Sequence, residues 1–228
     1  MSFVQKVRHL FRRPIKRRYV FVVTYGRSGS TLLMNLINSC EGCCIRGENN
    51  SALHGLYESY RRIVDAQQGH GKNAHRTSSP WWGITSVDTD RYARRLAQAF
   101  IDEVIMPGQE DTLCGFKEIR FSRREVPDLH GYLKFITKFF PGAKFVFNHR
   151  SLADVATSKW WAGMPNALDL LREMDERFSE FKPSPLVFHF SYDEALKDTG
   201  HVRELFEFLN ITYDEKSIRQ VFSQRHSY

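Results

Sequence analysis

Short runs rich in strand-forming residues alternate along this chain with stretches in which apolar residues recur every three or four positions. The runs are Tyr19–Tyr25, Thr112–Phe121, Lys144–Asn148 and Leu186–Phe190, and their lengths predict buried strands. Helical spacing appears first at Leu32, Leu33, Leu36 and Ile37, predicting a helix over about residues 32–39. It returns at Tyr92, Leu96, Phe100 and Val104, within a helix predicted over 91–106, and again over Leu129–Phe140, where Pro141-Gly142 stops it. Ala167, Leu170, Leu171, Met174, Phe178 and Phe181 mark a further helix, and Val202, Leu205, Phe206 and Leu209 the last. Strands alternating with helices predict an α/β fold whose central parallel sheet is covered by helices on both faces. Residues 41–60 show neither period and read as irregular. Residues 66–90, polar and carrying Gly69, Gly71, Pro80 and the pair Trp81-Trp82, read as a functional loop or lid.

Neither an internal repeat nor a linker divides the chain, so residues 19–228 are expected to form one catalytic domain behind a basic arm, residues 1–18. The arm interleaves Lys6, Arg8, Arg12, Arg13, Lys16, Arg17 and Arg18 with Phe3, Val4, Val7, Leu10 and Phe11, and no acid precedes Glu41. Two readings are open for it: a solvated lead-in to the first strand, or an amphipathic segment resting on an anionic membrane surface. No apolar run reaches the roughly 18 residues of a membrane span. The N-terminus also lacks the apolar stretch of a secretory signal, which makes a cytoplasmic protein the expectation. A length of 228 residues with 42% hydrophobic and 14% aromatic content suits a packed domain, and a net charge of +7 favours an anionic ligand. Cys40, Cys43, Cys44 and Cys114 are too few for a disulfide framework and lack the partner pair of a zinc site.

The candidate chemistry lies where the first strand ends. Thr24-Tyr25-Gly26-Arg27-Ser28-Gly29-Ser30-Thr31 is a short Gly/Ser loop opening a helix. Such a turn offers backbone N–H groups and a helix N-terminus to a small anion, usually a phosphate. Ser30 and Thr31 add hydroxyl donors, and Arg27 a fixed charge. A magnesium-dependent P-loop would place Lys before its final Ser or Thr and an Asp at the end of another strand. This loop has no such Lys, and the strand at Lys144–Asn148 leads into His149-Arg150.

TYGRSGSTLL resembles the 5′-phosphosulfate loop of sulfotransferases that use 3′-phosphoadenosine 5′-phosphosulfate. The resemblance continues in Phe145-Val146-Phe147-Asn148-His149-Arg150, with Ser158 eight residues on, similar to the family's 3′-phosphate motif. It extends through Ser191-Tyr192-Asp193-Glu194-Ala195-Leu196 and Leu205–Leu209, so that it spans about residues 19–211. It implies a P-loop-containing three-layer sandwich and metal-independent, in-line sulfuryl transfer to a hydroxyl. The implied cofactor contacts are Gly26, Arg27, Ser28, Gly29, Ser30 and Thr31 for the 5′ end, and Arg150 with Ser158 for the 3′-phosphate. A sulfuryl group carries less charge than a phosphoryl group, which fits a loop without metal ligands.

Transfer requires a base for the acceptor proton and positive charge on the leaving phosphate. Glu48, in Arg46-Gly47-Glu48-Asn49, lies near the position of the Gly-Glu base of tyrosylprotein sulfotransferases; Glu118, His54 and His75 are the other candidates. Arg27 and Lys117 are the candidate cations, and Arg225 is a further residue that could close over the nucleotide. Trp81 and Trp82 are candidates to stack on a sugar, and with the family analogy they point to a carbohydrate or glycolipid acceptor. The rival readings are a divergent P-loop kinase using Mg-ATP and a non-catalytic module holding nucleotide or nucleic acid.

Overall fold

The computed structural model describes residues 16–224, so most of the basic arm and Arg225 lie outside the described residues. Five parallel strands, β1 (Arg18–Val23), β2 (Cys43–Arg46), β3 (Leu113–Glu118), β4 (Lys144–His149) and β5 (Val187–Ser191), pair in the order β2-β3-β1-β4-β5. β1 is therefore central. The chain leaves it towards β2 and β3 on one side, then crosses to β4 and β5 on the other. That divergence opens a crevice beyond the carboxyl ends of β1, β3 and β4, the place where open α/β sheets bind ligands.

The helices are α1 (Ser30–Asn38), α2 (Ala52–His70), α3 (Thr89–Phe100), α4 (Leu129–Phe139), α5 (Leu152–Ala156), α6 (Ala167–Ser179), α7 (Tyr192–Lys197), α8 (Gly200–Leu209) and α9 (Glu215–Ser223). Alternate side chains of β1 serve opposite faces of the sheet, as strand geometry requires. Tyr19, Phe21 and Val23 join a core with Phe116, Phe145 and Phe147, covered by α2, α3, α4 and α6. Val20 and Val22 join another with Leu113, Val146 and Phe190, covered by α1, α8 and α9. The first core is strongly aromatic: Phe21 meets Phe116 and Phe140 edge-on, both at 5.3 Å, a favourable quadrupole arrangement. The α/β architecture and parallel sheet expected from the periodicity are both present.

Three expectations need correction. Residues 41–60 are not irregular. They hold β2 and the start of α2, which the periodicity misses because β2 has only four residues and α2 buries only Leu53, His54 and Tyr57. The presumed lid over 66–90 begins as the last turn of α2 and continues as turns tied back to it. Gln67 Nε2 donates to the carbonyls of Ile84 and Val87, at 2.9 and 2.7 Å, and Trp81 stacks on His70 at 4.0 Å. Finally, the arm ends sooner than residue 18. Arg18 opens β1 and donates to the carbonyls of Leu209 and Asn210, while Arg17 donates to Gly108. Among the described residues no helix is long and apolar enough to cross a membrane.

One buried cation braces the loop leading from β3 to α4. Arg177 on α6 is 5% exposed and donates from Nη1 to Phe121 O at 2.6 Å and from Nη2 to Val126 O at 2.7 Å. Arg177→Leu leaves two carbonyls without donors and is expected to destabilise the fold by about 2–3 kcal/mol. Urea denaturation of the pair checks this, and an unchanged midpoint would refute it.

Candidate active site

The loop from Thr24 to Gly29 joins β1 to α1 and is held from below by a buried polar knot. Thr24, Ser28 and Asn148 are all fully buried. Thr24 Oγ1 lies 2.7 Å from Ser28 Oγ and 2.8 Å from Asn148 O, and Asn148 Nδ2 donates to Ser28 O at 3.0 Å. The loop is thus fastened to the end of β4 as well as to β1. Two more of its carbonyls are engaged: Trp161 Nε1 donates to Gly26 O at 2.9 Å, and Arg150 Nη1 to Arg27 O at 3.0 Å.

Backbone conformation supplies the cradle. Arg27 and Gly29 have φ of 67° and 81°, so two left-handed residues turn the chain tightly just before α1. Gly29 is the N-cap of α1 and offers no side-chain cap; its carbonyl accepts from the Leu32 and Leu33 amides, and the Ser30 and Thr31 amides ahead of them are left to face an anion. The two glycines also admit close aromatic neighbours. A Cβ on Gly26 would lie 1.4 Å from the Trp160 ring, and one on Gly29 would lie 2.1 Å from the Tyr192 ring. Tyr192 in turn lies under the Arg150 guanidinium, 4.8 Å from it.

These groups line a cleft of about 620 Å³. Gly26, Arg27, Gly29, Ser30, Thr31, Glu48, Lys117 and Arg150, all expected from the sequence, are brought together there, and Arg120, Trp160 and Tyr192 are added to them. Two expected cofactor residues stand apart from the lining. The Ser28 hydroxyl is turned inward to Thr24, which makes it a brace of the loop. Ser158 lies just past the short helix α5, and its Oγ is buried without a partner among the described residues. Arg150 Nε is buried and unpartnered as well. Orphaned buried donors of this kind are costly unless a ligand engages them, which is compatible with an anionic group near the end of β4. Trp81 and Trp82 do not line this cleft; Trp160, a residue the sequence reading passed over, does. Its signal was the pair Trp160-Trp161, separated from Ser158 only by Lys159.

The carboxylates divide sharply in role. Glu118, the last residue of β3, is 3% exposed. Its Oε2 accepts from the amides of Ser51 and Asn49, at 2.9 and 3.3 Å, and its Oε1 from the Ile119 amide at 2.8 Å and from Arg120 at 3.3 Å. That carboxylate is consumed in holding the turn before α2. Glu48 is the more open group: it pairs with Lys117 Nζ through Oε1 and lies 3.4 Å from Arg120 Nη1 through Oε2, with its side chain one-third exposed. The histidines lie elsewhere. His54 is buried against the Tyr132 ring edge, and burial pushes its pKa down, while His75 is exposed; neither lines the cleft.

A profile described as "Sulfotransferase family" matches residues 19–215. No curated protein matches the sequence. Among solved structures, the sulfotransferase domain of the Synechococcus PCC 7002 olefin synthase superimposes with a TM-score of 0.58 at 16% identity, covering 93% of this chain and 80% of that one. The sulfotransferase domain from the curacin biosynthetic pathway follows at TM-score 0.48 and 13% identity, with coverage of 92% and 79%. STF1 from Mycobacterium tuberculosis H37Rv gives 0.46 at 14%, covering 99% and 76%. The first of these supports the fold; the other two are too distant to add to it.

The Gly29 geometry makes a direct prediction. Gly29→Ala places a methyl in the left-handed region and against Tyr192, and the backbone alone is expected to cost about 1–2 kcal/mol. Tm should fall by at least about 3 °C for a chain of this size. An unshifted thermal transition would show that the loop tolerates a side chain there.

Proposed function

The chain belongs to the sulfotransferase family, and on that premise we propose that it transfers a sulfuryl group from 3′-phosphoadenosine 5′-phosphosulfate to an acceptor hydroxyl. The observation that supports the reading is the presence of two sets of unmet donors. One is the loop with the open N-terminus of α1; the other is made by the buried, unpartnered Arg150 Nε and Ser158 Oγ. A nucleotide with anionic groups at both its 5′ and 3′ positions needs both. Mg-ATP needs only the first, and the loop lacks the lysine that a magnesium-dependent P-loop carries.

When bound, the donor supplies an activated sulfuryl group on its 5′-phosphate. Thr31, Ser30 and the first amides of α1 would hold that phosphate, and Arg27 would meet the charge that develops as the sulfur–oxygen bond breaks. Glu48 is the base: it lines the cleft, whereas Glu118 has its lone pairs occupied by backbone amides. Glu48 would take the acceptor hydroxyl's proton as the acceptor oxygen displaces the 5′-phosphate oxygen from sulfur. Lys117, paired with Glu48, is positioned to turn to the incoming anion and leave the carboxylate free to accept that proton. The acceptor class we propose is a carbohydrate or glycolipid, on the family resemblance. The transfer requires no metal, since the fixed cations Arg27, Lys117 and Arg150 supply the positive charge. The cytoplasmic setting and the contact of the basic arm with a membrane surface belong to the same proposal.

Calorimetric titration with adenosine 3′,5′-bisphosphate tests the cofactor class. Binding should persist in a chelator and weaken at least about tenfold in Arg150→Ala, the loss of one charge-assisted contact. Preference for Mg-ATP would overturn the reading. Glu48→Gln should lower kcat by about 10²–10⁴ with far less effect on nucleotide affinity. Equal kcat in the variant would remove Glu48 from the mechanism. For the acceptor, a panel of glycans and tyrosine peptides decides: sulfation of the peptides alone would exclude the carbohydrate class.

A further inference from the structure

Behind Arg150 runs a hydrogen-bonded chain of side chains that the transfer chemistry does not use. His189 Nε2, on β5, lies 2.5 Å from Phe181 O. His189 Nδ1 lies 2.8 Å from His149 Nε2, at the end of β4. His149 Nδ1 lies 2.7 Å from Asp175 Oδ1 on α6, and the same oxygen is 3.2 Å from the Tyr25 hydroxyl. That hydroxyl contacts both backbone groups of Arg150, accepting from its amide at 3.0 Å and lying 3.1 Å from its carbonyl.

The protons in this chain can be counted. Phe181 O only accepts, so His189 Nε2 carries a hydrogen. His189 Nδ1 then accepts, and His149 Nε2 carries a hydrogen. The last contact, His149 Nδ1 to Asp175 Oδ1, sets two lone pairs face to face unless it too holds a proton. Two neutral imidazoles bring one N–H each, and the three contacts need three. An imidazole is more basic than a carboxylate by more than two pKa units in their ordinary states, so the third proton belongs on the ring.

We propose that His149 is an imidazolium paired with Asp175, and that this pair is the positioning device that fixes the Arg150 backbone, through Tyr25, for binding the nucleotide's 3′-phosphate. The inference rests on the sulfotransferase reading for its ligand, while the protonation of His149 stands on the geometry alone. Burial pushes His189 down, which suits it to be the neutral ring, and burial pushes the Tyr25 phenol up, so its O–H persists as a donor. The charged groups around the pair are Asp175 on α6, Arg150 beside it in sequence, Lys182 near His189, and Asp193 on α7, which accepts from the Ser151 amide at 2.6 Å. Loss of the third proton would part Asp175 from His149, let that carboxylate draw away from the Tyr25 hydroxyl, and so loosen the group that contacts both backbone atoms of Arg150.

Affinity for adenosine 3′,5′-bisphosphate should therefore fall once the pH is raised far enough to remove that proton. A drop of about tenfold is expected, within the usual range of coupling between sites. The ligand's own second phosphate ionisation, near pH 6, acts in the opposite sense and cannot produce it. Asp175→Asn presents an N–H to His149 Nδ1, which satisfies the chain with two ring protons. Its affinity should be flat with pH, whatever the absolute level, and AMP, lacking the 3′-phosphate, should show no such fall with the wild type. Nitrogen-15 spectra of the ligand-free protein supply the second measurement. Both ring nitrogens of His149 should be protonated near neutral pH, with His189 in a single neutral tautomer. A neutral His149, or equal pH dependence in wild type and Asp175→Asn, would overturn the inference. No binding of the bisphosphate at any pH would instead defeat the sulfotransferase reading and leave the spectra to decide the protonation of His149.

Discussion

Almost everything at the cleft depends on one buried polar knot, in which Thr24, Ser28 and Asn148 bind one another beneath the loop. An anion cradle made of backbone amides works only if the amides already point inwards, because reorganising them on binding would consume the interaction energy. The knot holds that arrangement from underneath, from the sheet. Trp160 and Tyr192, seated on the bare Cα atoms of Gly26 and Gly29, hold it from above. The glycines are thus required twice over, by the left-handed turn at Gly29 and by the closeness of the two rings.

A second constraint arranges the carboxylates. Glu118 and Glu48 both reach Arg120, yet burial and backbone donors separate them into an anchor and an open acid. Glu118 collects amides from the turn that carries Asn49 and Ser51, and so fixes where Glu48 is presented. The left-handed residues Asn50 and Ser51 sit inside that turn, with φ of 56° and 59°. Backbone strain there is offset by a charge-assisted set of bonds, a common trade at functional positions.

The long, periodic elements were legible in the residues. The helix at Leu129–Phe139 and the strand at Lys144–His149 differ from their expected bounds by a single residue, because an apolar stripe or run has a direct counterpart in burial. The strand Cys43–Arg46 was not legible: four residues at a sheet edge are too few to show a period. The helix Ala52–His70 was hidden for a different reason. Its stripe of Leu53, Leu56, Tyr57 and Tyr60 is sparse, only Leu53, His54 and Tyr57 are buried, and much of the helix is polar, so that tertiary packing rather than strong patterning stabilises it.

For the site, the sequence alone determined which groups stand next to one another along the chain. Gly26 to Thr31 is contiguous, and a loop opening a helix declares its anion cradle through composition and order. Arg150 and Ser158 likewise follow a strand at a spacing readable along the chain. What only the tertiary structure decided is how distant segments divide the work. Ser28 turns inward as a brace, Glu118 is locked while Glu48 is left open, Trp160 and not Trp81 or Trp82 lines the cleft, and His149, Asp175 and Tyr25 meet behind Arg150. These outcomes depend on which strands lie side by side and how deeply each group is buried. A parallel sheet sets both through crossovers between residues far apart in sequence, and no local pattern of residue types encodes that distance.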